Sequence, residues 1–185
     1  MHRSLRPFVA SSATAAGLLA AALLSACSTQ DSSTAAVPDA LKGRSTEKLA
    51  MIVPAKGVQI YECKAKAGQP AAYEWAFVAP EAELFDRGGA KIGKHYAGPT
   101  WESLDGSKIK GTVKARADAP QADAIPWLLL TTTVDGPKGT FSAVSSVQRL
   151  NTVGGAAPKT ACGAGNAGAV ARVPYTADYY LLAER

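Results

Sequence analysis

From Met51 onward the chain consists of short apolar runs interrupted by Gly and Pro, and a helical spacing of apolar residues is nearly absent. Such runs are typical of strands joined by turns. The sequence therefore predicts an all-β, mainly antiparallel domain at residues 51–185, either a β-sandwich or a barrel-like fold with long Gly/Pro-rich loops. The predicted strands are 57–63, 73–79, 82–85, 91–93, 108–115, 127–133, 142–152 and 175–183.

Two local patterns give this prediction its detail. Asp86-Arg87-Gly88-Gly89 has the composition of a hairpin turn between two of the predicted strands. In 108–115, Lys108, Lys110, Thr112 and Lys114 alternate with smaller or apolar residues. This alternation predicts one face in solvent and one packed face along the whole strand.

The N-terminus has the pattern of a bacterial lipoprotein signal. Arg3 and Arg6 precede an apolar run at 8–24, which ends in Leu24-Ser25-Ala26-Cys27. We expect residues 1–26 to be removed and Cys27 to carry the lipid that anchors the exported protein to the cell envelope. An ordinary cleaved signal is the main alternative, and the run is short for a transmembrane anchor. Ser28 after the cysteine favours the outer membrane.

Residues 27–50 are rich in Ser, Thr and Ala, with Pro38 among them, and are predicted to be a flexible tether between the lipid and the domain. Loss of the two signal-peptide arginines lowers the formal net charge from +5 to +3. A charge this small gives no indication of a nucleic-acid partner. The predicted partner is therefore the membrane, through the lipid, together with a glycan or another envelope ligand.

With Cys27 lipidated, Cys63 and Cys162 are the two cysteines that remain. In an oxidising compartment they are expected to form a disulfide, the alternative being two buried free thiols. Residues 163–168 match the dinucleotide-binding pattern G-x-G-x-x-G. A Gly/Pro-rich loop precedes this run and no acidic residue follows at the required distance, so we interpret it as a loop and predict no cofactor.

The segment from His95 to Ser107 contains the best candidates for a functional site. His95 is the single histidine left after signal removal, which excludes a zinc site built on several histidines. Trp101, Glu102, Asp105 and, later in the chain, Asp178 complete the candidate ligand site. Turn and strand roles for the same residues are the alternative, because Gly98-Pro99 and Asp105-Gly106 are turn formers. No catalytic residue and no metal site is predicted.

The three tryptophans differ in their expected surroundings. Trp75 and Trp127 lie within apolar runs and are expected to be buried with their N–H groups hydrogen-bonded. Trp101 lies between Thr100 and Glu102, and we expect a ligand to reach it.

Five motifs occur in order along the chain: Gly57-Val58-Gln59-Ile60-Tyr61-Glu62-Cys63, residues 95–102 with 105–107, Ile125-Pro126-Trp127-Leu128-Leu129, residues 148–152 with Gly154-Gly155, and Val173-Pro174-Tyr175-Thr176-Ala177-Asp178-Tyr179. Together they resemble the DUF3455 family, a family of secreted bacterial and fungal proteins of unknown function. The resemblance spans about 53–182. It implies a single exported domain with paired cysteines and brings no established activity.

These observations favour an envelope binding or structural module as the function. The alternative is an extracytoplasmic hydrolase in which His95 acts with a carboxylate from Glu102, Asp105 or Asp178.

Overall fold

A computed structural model describes residues 36–185, and most of these residues lie in antiparallel strands. The predicted signal peptide 1–26, the lipidation site Cys27 and the first part of the predicted tether lie outside the described residues. Within 36–185, no helix has the length and apolar character needed to cross a membrane. The strands are β1 Glu47–Lys66, β2 Gln69–Phe85, β3 Lys91–Tyr96, β4 Thr100–Ser103, β5 Lys108–Ala117, β6 Trp127–Val134, β7 Val144–Gly154 and β8 Val170–Glu184; two 3-10 turns lie at Asp39–Leu41 and Ala164–Asn166.

The eight strands form a closed barrel in which each strand pairs antiparallel with the next and β8 pairs with β1. The predicted all-β, antiparallel fold is confirmed, and the barrel-like alternative is the form it takes. Closure leaves β1 and β8 paired over almost their whole length, from Glu47 with Glu184 to Glu62 with Val170. The described residues 36–185 therefore contain a complete barrel with its own core, as an independently folding domain requires.

Predicted strands 73–79 and 82–85 are parts of one long strand, β2, which passes through Pro80. Pro80 pairs with Gln59 of β1, whereas the pairing of β2 with β3 begins at Ala82. Pro80 thus lies where β2 has a neighbour on one side, a position at which a strand tolerates the missing N–H of proline. The hairpin turn predicted at 86–89 joins β2 to β3, with Asp86 accepting a hydrogen bond from the Ala90 N–H.

Apolar residues pack on both sides of the barrel wall. The interior core includes Leu84, Trp101, Leu130 and Tyr179. A second group, the outer cluster, covers the outside of β6 and β7 and consists of Leu41, Trp127, Leu129 and Leu150. Burial on both faces explains why β6 has the nearly continuous apolar sequence Trp-Leu-Leu-Leu.

The structure differs from the predicted tether, 27–50, at its C-terminal end. Leu41 is fully buried in the outer cluster, and its carbonyl accepts a 2.6 Å hydrogen bond from the Gln148 side chain. β1 then begins at Glu47, whose carboxylate accepts hydrogen bonds from the hydroxyls of Ser145 and Ser146. Residues from about 37 onward are therefore part of the domain, because they cover apolar side chains that would otherwise face solvent.

Cys63 and Cys162 form a disulfide with Cα atoms 5.5 Å apart, so the predicted pairing is confirmed. The bond joins β1 to the long loop between β7 and β8. Two backbone hydrogen bonds extend the attachment, because the Cys63 N–H donates to the Ala169 carbonyl and the Cys63 carbonyl accepts from the Gly168 N–H. The glycine-rich run 163–168 lies in this loop and leads into strand β8. A strand at this point does not provide the helix N-terminus that a dinucleotide pyrophosphate needs.

The short β3–β4 hairpin leaves a gap in the barrel wall. β3 has 6 residues and β4 has 4, whereas the flanking strands β2 and β5 have 17 and 10. The hairpin turn, Ala97–Pro99, therefore ends well before the flanking strands do. We call the gap above this turn, between Phe77-Val78 of β2 and Val113 of β5, the portal.

Both strands beside the portal contain a β-bulge. In β2 the pairing with β1 skips Val78, and in β5 the pairing with β6 skips Lys114. The predicted alternation of a solvent face and a packed face in β5 holds from Lys108 to Thr112, whereas Val113, predicted to be packed, is half exposed at the portal. The facing of side chains changes at the bulge, so that Ala115 and Ala117 pack against the outer cluster. The residue between these alanines, Arg116, lines the interior. A bulge commonly redirects a side chain in this way next to a binding site.

Candidate functional site

A cavity of about 470 Å³ lies inside the barrel at the end that carries the disulfide. This volume falls within the range of about 300–1,000 Å³ that is usual for small-molecule sites. Phe77, Val78 and Val113 line the cavity although each is about half exposed, which shows that the cavity opens to solvent at the portal. The lining residues are Gln59, Tyr61, Phe77, Val78, Pro80, His95, Ala97, Gly98, Pro99, Trp101, Val113, Arg116, Ile125, Pro126, Leu128, Leu130, Arg149 and Tyr179.

The end of the barrel beyond the cavity is closed by the loop between β5 and β6. Thr152 donates a 2.6 Å hydrogen bond to the Ile125 carbonyl, and the Ile125 N–H bonds to the Gly154 carbonyl. Tyr61 donates a 2.7 Å hydrogen bond to Gly155, which pairs with Ala124 in an isolated bridge. Because this end is covered, we take the portal as the opening of the cavity, since the half-exposed lining residues Phe77, Val78 and Val113 lie there.

Three aromatic rings form one wall of the cavity. The rings of His95 and Trp101 stack with their centroids 4.5 Å apart, and Tyr179 meets the Trp101 ring edge-on at 5.3 Å. Trp101 and His95 are opposite one another in the β3–β4 pairing, which places both side chains on the interior face. Trp101 is 1% exposed, so the expected ligand-accessible Trp101 is a buried residue that meets the cavity with one side of its ring.

The two other tryptophans also differ from expectation. Trp127 is buried, as expected, but in the outer cluster, and its Nε1 has no hydrogen-bond partner among the described residues. Trp75 is partly exposed, and its Nε1 donates a 3.0 Å hydrogen bond to the Thr160 carbonyl. The expected burial is therefore found for Trp127 and only in part for Trp75. The expected hydrogen bond of the indole N–H is found for Trp75 and is missing for Trp127.

His95 is a neutral imidazole of fixed orientation. Its Nδ1 lies 2.8 Å from the Thr100 carbonyl oxygen, which can only accept, so Nδ1 carries the proton and donates it. Nε2 is consequently the acceptor nitrogen. Burial lowers the pKa of His95 to about 3; the bond to Thr100 acts in the opposite direction and the positive charge of Arg149 adds to the lowering. The ring therefore stays uncharged at neutral pH.

The cavity contains positive charge without a balancing carboxylate. Arg149 is half-buried, and its Nε and one terminal nitrogen both donate to the Pro126 carbonyl, at 3.0 and 2.9 Å. Arg116 lines the same cavity at its exposed side. The lining residues include neither Asp nor Glu. A charged group that is withdrawn from water is normally paired, so this arrangement favours an anion.

Two buried side chains in the lining have polar atoms without a partner. Gln59 is 2% exposed and Trp101 is 1% exposed. Neither the Gln59 Nε2 nor the Trp101 Nε1 has a hydrogen-bond partner within residues 36–185. Both atoms are donors, and a buried donor without a partner costs about 1–3 kcal/mol. A ligand that accepts these hydrogen bonds would offset that cost.

The structure separates the three predicted carboxylates from His95. Glu102 pairs with Lys94 across the β3–β4 hairpin and accepts a 2.6 Å hydrogen bond from Tyr96, which places it on the outer face of the wall. Asp178 lies between the inward-facing Ala177 and Tyr179 on β8 and bonds to Asn151. Of the predicted candidate ligand site, His95 and Trp101 line the cavity, whereas Glu102 and Asp178 do not.

Asp105 belongs to the opposite end of the barrel. Its carboxylate accepts hydrogen bonds from the backbone N–H and hydroxyl of both Ser107 and Thr140, and so joins the β4–β5 turn to the β6–β7 loop. The Ser107 hydroxyl and these other donors hold the pKa of Asp105 well below its usual range. This is the turn role that the sequence left open as an alternative.

A larger groove of about 660 Å³ lies at this opposite end, beside Leu49, Ile92 and Asp105. Leu49 and Leu104 on its sides are 50% and 71% exposed, so it is an open surface depression. Both of its carboxylates accept hydrogen bonds within the protein, Asp105 four of them and Asp86 one from the Ala90 N–H. We therefore regard the interior cavity as the better candidate for a functional site.

The cavity does not assemble the groups that the hydrolase alternative requires. Its lining residues include no Ser, Thr or Cys that could act as a nucleophile and no carboxylate that could orient His95. Across residues 36–185, no three His, Cys, Asp or Glu side chains are grouped so that they could hold a metal ion. The arrangement is suited to binding an organic molecule between apolar walls and a few donors.

A family model described as a protein of unknown function (DUF3455) matches residues 44–183. Comparisons with curated proteins and with solved structures produced no match.

Proposed function

Because the chain belongs to the DUF3455 family, whose description assigns no activity, we propose a function from the cavity itself: the barrel binds one small organic molecule. The observation that carries this proposal is the pair of buried donors, Gln59 Nε2 and Trp101 Nε1, in the wall of a cavity that opens to solvent. Eight-stranded barrels are wide enough to be filled by side chains or to hold one small ligand, and this barrel is incompletely filled at one end.

A small molecule fits the cavity better than a polymer does. The aromatic wall of His95, Trp101 and Tyr179 is buried, so an extended glycan on the barrel surface would not contact it. The portal is bounded by the β3–β4 turn and by residues of β2 and β5, and the far end is covered by the β5–β6 loop. A glycan would therefore bind as a short fragment or chain end.

The proposed location of this binding protein is the bacterial cell envelope, with the outer membrane favoured by Ser28. The motif that ends at Cys27 supports export and lipid attachment. About 20 residues separate Cys27 from β1, so a lipid on Cys27 would hold the barrel close to the membrane surface.

Lipid attachment is tested by growing cells that produce the full chain in labelled palmitate. We expect label in the wild-type protein and none in Cys27→Ala, with the wild type in the membrane fraction. Equal labelling of both proteins, or no labelling of either, would contradict lipidation at Cys27.

Ligand binding is tested with residues 28–185 in a thermal-shift screen of small organic acids, alcohols and amines and of short glycan fragments. Val113→Trp places a large side chain at the portal, and Val134→Trp is the matched control, because both valines are about half exposed and only Val113 lines the cavity. We expect saturable stabilisation of wild type and Val134→Trp that is lost in Val113→Trp. A shift that Val113→Trp retains, or no shift from any compound, would contradict the proposal.

A further inference from the structure

We propose that the ligand is a small organic carboxylate whose anionic group binds Arg149 and whose apolar body lies against the aromatic wall. This inference rests on the proposed function, since it assigns a chemical class to the molecule that the cavity binds.

The first support is the unbalanced charge of Arg149. Arg44 and Arg172 each form an ion pair with a glutamate, whereas Arg149 has no carboxylate within salt-bridge distance among residues 36–185. A guanidinium has five N–H donors, and hydrogen bonds to Pro126 use two of those of Arg149. The remaining donors can form the bidentate contact that a carboxylate accepts.

The second support is the chemistry of the neutral polar groups. The unpartnered atoms of Gln59 and Trp101 are both N–H donors. An ionised carboxylate is purely an acceptor, so it matches these donors and the guanidinium together. A ligand amine would meet two arginines and two N–H donors, and would be repelled. The one acceptor nitrogen, Nε2 of His95, is available for a hydroxyl or N–H elsewhere on the ligand.

The third support is the apolar lining of the rest of the cavity. Phe77, Val78 and Val113 are about half exposed at the portal, and Ile125, Leu128 and Leu130 continue the apolar lining inward. A bare inorganic anion would leave this surface without a partner. Burying it against a ligand body is favourable by about 25 cal/mol for each Å² removed from water. The lining therefore favours an anion with an apolar chain or ring.

The β-bulge at Lys114 adds a second cation near the portal. It places Arg116 among the lining residues, and Arg116 forms no ion pair within the described part of the chain. Because Arg116 is exposed, its attraction for an anion is screened by salt, unlike that of the half-buried Arg149. We therefore assign the main contact with the carboxylate to Arg149 and a steering role to Arg116.

The test is calorimetric titration of residues 28–185 with two matched series: octanoate, octanol and octylamine, and 3-phenylpropanoate, 3-phenylpropanol and 3-phenylpropylamine. Within each series the body is constant and the charge changes. The variants are Arg149→Gln, which removes the charge, and Arg149→Lys, which keeps it. Arg172→Gln is the control, because it removes the same charge from the outer surface, where Arg172 pairs with Glu81.

We expect at least one carboxylate to bind ten-fold or more tightly than its alcohol, and the amine to bind most weakly. Arg149→Gln should remove that preference while leaving the affinity for the alcohol, Arg149→Lys should restore part of it, and Arg172→Gln should leave it unchanged. Circular dichroism and the retained alcohol binding check that each variant is folded.

Two results would overturn the inference, and they differ in what they imply for the proposed function. Equal affinity for carboxylate and alcohol, or a preference that Arg149→Gln retains, contradicts the carboxylate assignment and leaves ligand binding by the barrel intact. No binding of any of the six compounds to wild type contradicts the carboxylate assignment, and the broader thermal-shift screen then decides ligand binding separately.

Discussion

His95 and Trp101 face each other across the β3–β4 hairpin with their rings stacked 4.5 Å apart, and both are almost completely buried. This stacking joins the one histidine of the described residues to the wall of the cavity. It also keeps the imidazole away from water and from every carboxylate that the sequence suggested as its partner. His95 is therefore neutral, and its neutrality can be tested through the pH dependence of the stability of the folded protein.

We predict that His95 makes the folded protein less stable as the pH falls below neutrality. Its pKa is about 3 in the folded protein, mainly because of burial, against about 6.5 when unfolded. The unfolded chain therefore binds one more proton between these values, and the free energy of unfolding should fall by about 1.4 kcal/mol per pH unit from this group. Above pH 6.5 the contribution is constant.

Urea unfolding at pH 7.5 and pH 5 measures this slope. His95→Gln should lower the slope by the amount due to one proton, whatever its effect on stability at pH 7.5. An unchanged slope in His95→Gln would contradict this, because it would mean that the imidazole takes up its proton over the same pH range in the folded barrel as in the unfolded chain.

Glu47 should contribute to stability in its ionised form. Burial would raise its pKa, but hydrogen bonds from Ser145, Arg44 and Ser146 together lower the pKa to about 2. The stabilisation is present above the unfolded pKa of about 4.5 and is lost as the pH falls from there towards 2. We predict that Glu47→Gln costs about 1–3 kcal/mol at pH 7 and progressively less below pH 4.5.

The matched control for Glu47 is Glu184→Gln, since Glu184 also pairs with Arg44 but is about half exposed. The free energy of unfolding of Glu184→Gln should remain within a few tenths of a kcal/mol of that of the wild type. A difference between wild type and Glu47→Gln that does not shrink between pH 5 and pH 3 would contradict the role of the ionised carboxylate.

The Cys63–Cys162 bond closes a sequence separation of 99 residues. In the chain-entropy model, a loop of this length stabilises the folded state by about 4–5 kcal/mol. We predict that the double variant Cys63→Ser, Cys162→Ser melts about 10–20 °C below wild type in calorimetry. Reduction of the wild type should reproduce the decrease and should leave the double variant unaffected. Equal melting temperatures of oxidised and reduced wild type would contradict this role.

Asp105 should be important for folding and unimportant for the cavity. Its four hydrogen bonds lie at the end of the barrel opposite the portal. We predict that Asp105→Asn lowers the melting temperature, because an amide cannot accept all four bonds, and leaves the affinity of residues 28–185 for a cavity ligand unchanged. A ten-fold loss of affinity at an unchanged melting temperature would contradict this prediction and would indicate that Asp105 takes part in ligand binding.

Much of the fold could be predicted from the alternation of residues. The β2–β3 hairpin turn, the solvent face of β5 up to Val113 and the Cys63–Cys162 pairing all followed from local patterns or composition. Closure into a barrel did not, because it depends on β1 pairing with β8 at the far end of the chain. The bulge at Lys114 was also missed, since the alternation of residue types continues through it without a break.

The sequence predicted two residues of the candidate site and missed two others. His95 and Trp101 were found through their types, but Glu102 was wrongly grouped with them. Recognising residues 91–103 as a hairpin would have shown that Glu102 pairs with Lys94 and so faces outward. Gln59 was missed because its apolar neighbours Val58 and Ile60 suggested the packed face, whereas the buried face of β1 is the one that carries Gln59. Arg149 was missed because the outer cluster covers β7, so the apolar residues of that strand do not identify the interior side. The available signal was that Arg149 follows Val147 by two residues, because residues two apart on a strand share a face and Val147 belongs to the interior core.

The most direct test of a ligand-binding barrel is NMR mapping of the site. Residues 28–185, labelled with ¹⁵N, are titrated with octanoate or with the best compound from the screen. We predict saturable shifts for amides around the cavity, such as Phe77, Gly98, Val113 and Arg149, and for the Trp101 indole N–H. Shifts confined to the groove near Leu49 and Leu104, or scattered over the surface without saturation, would contradict binding inside the barrel.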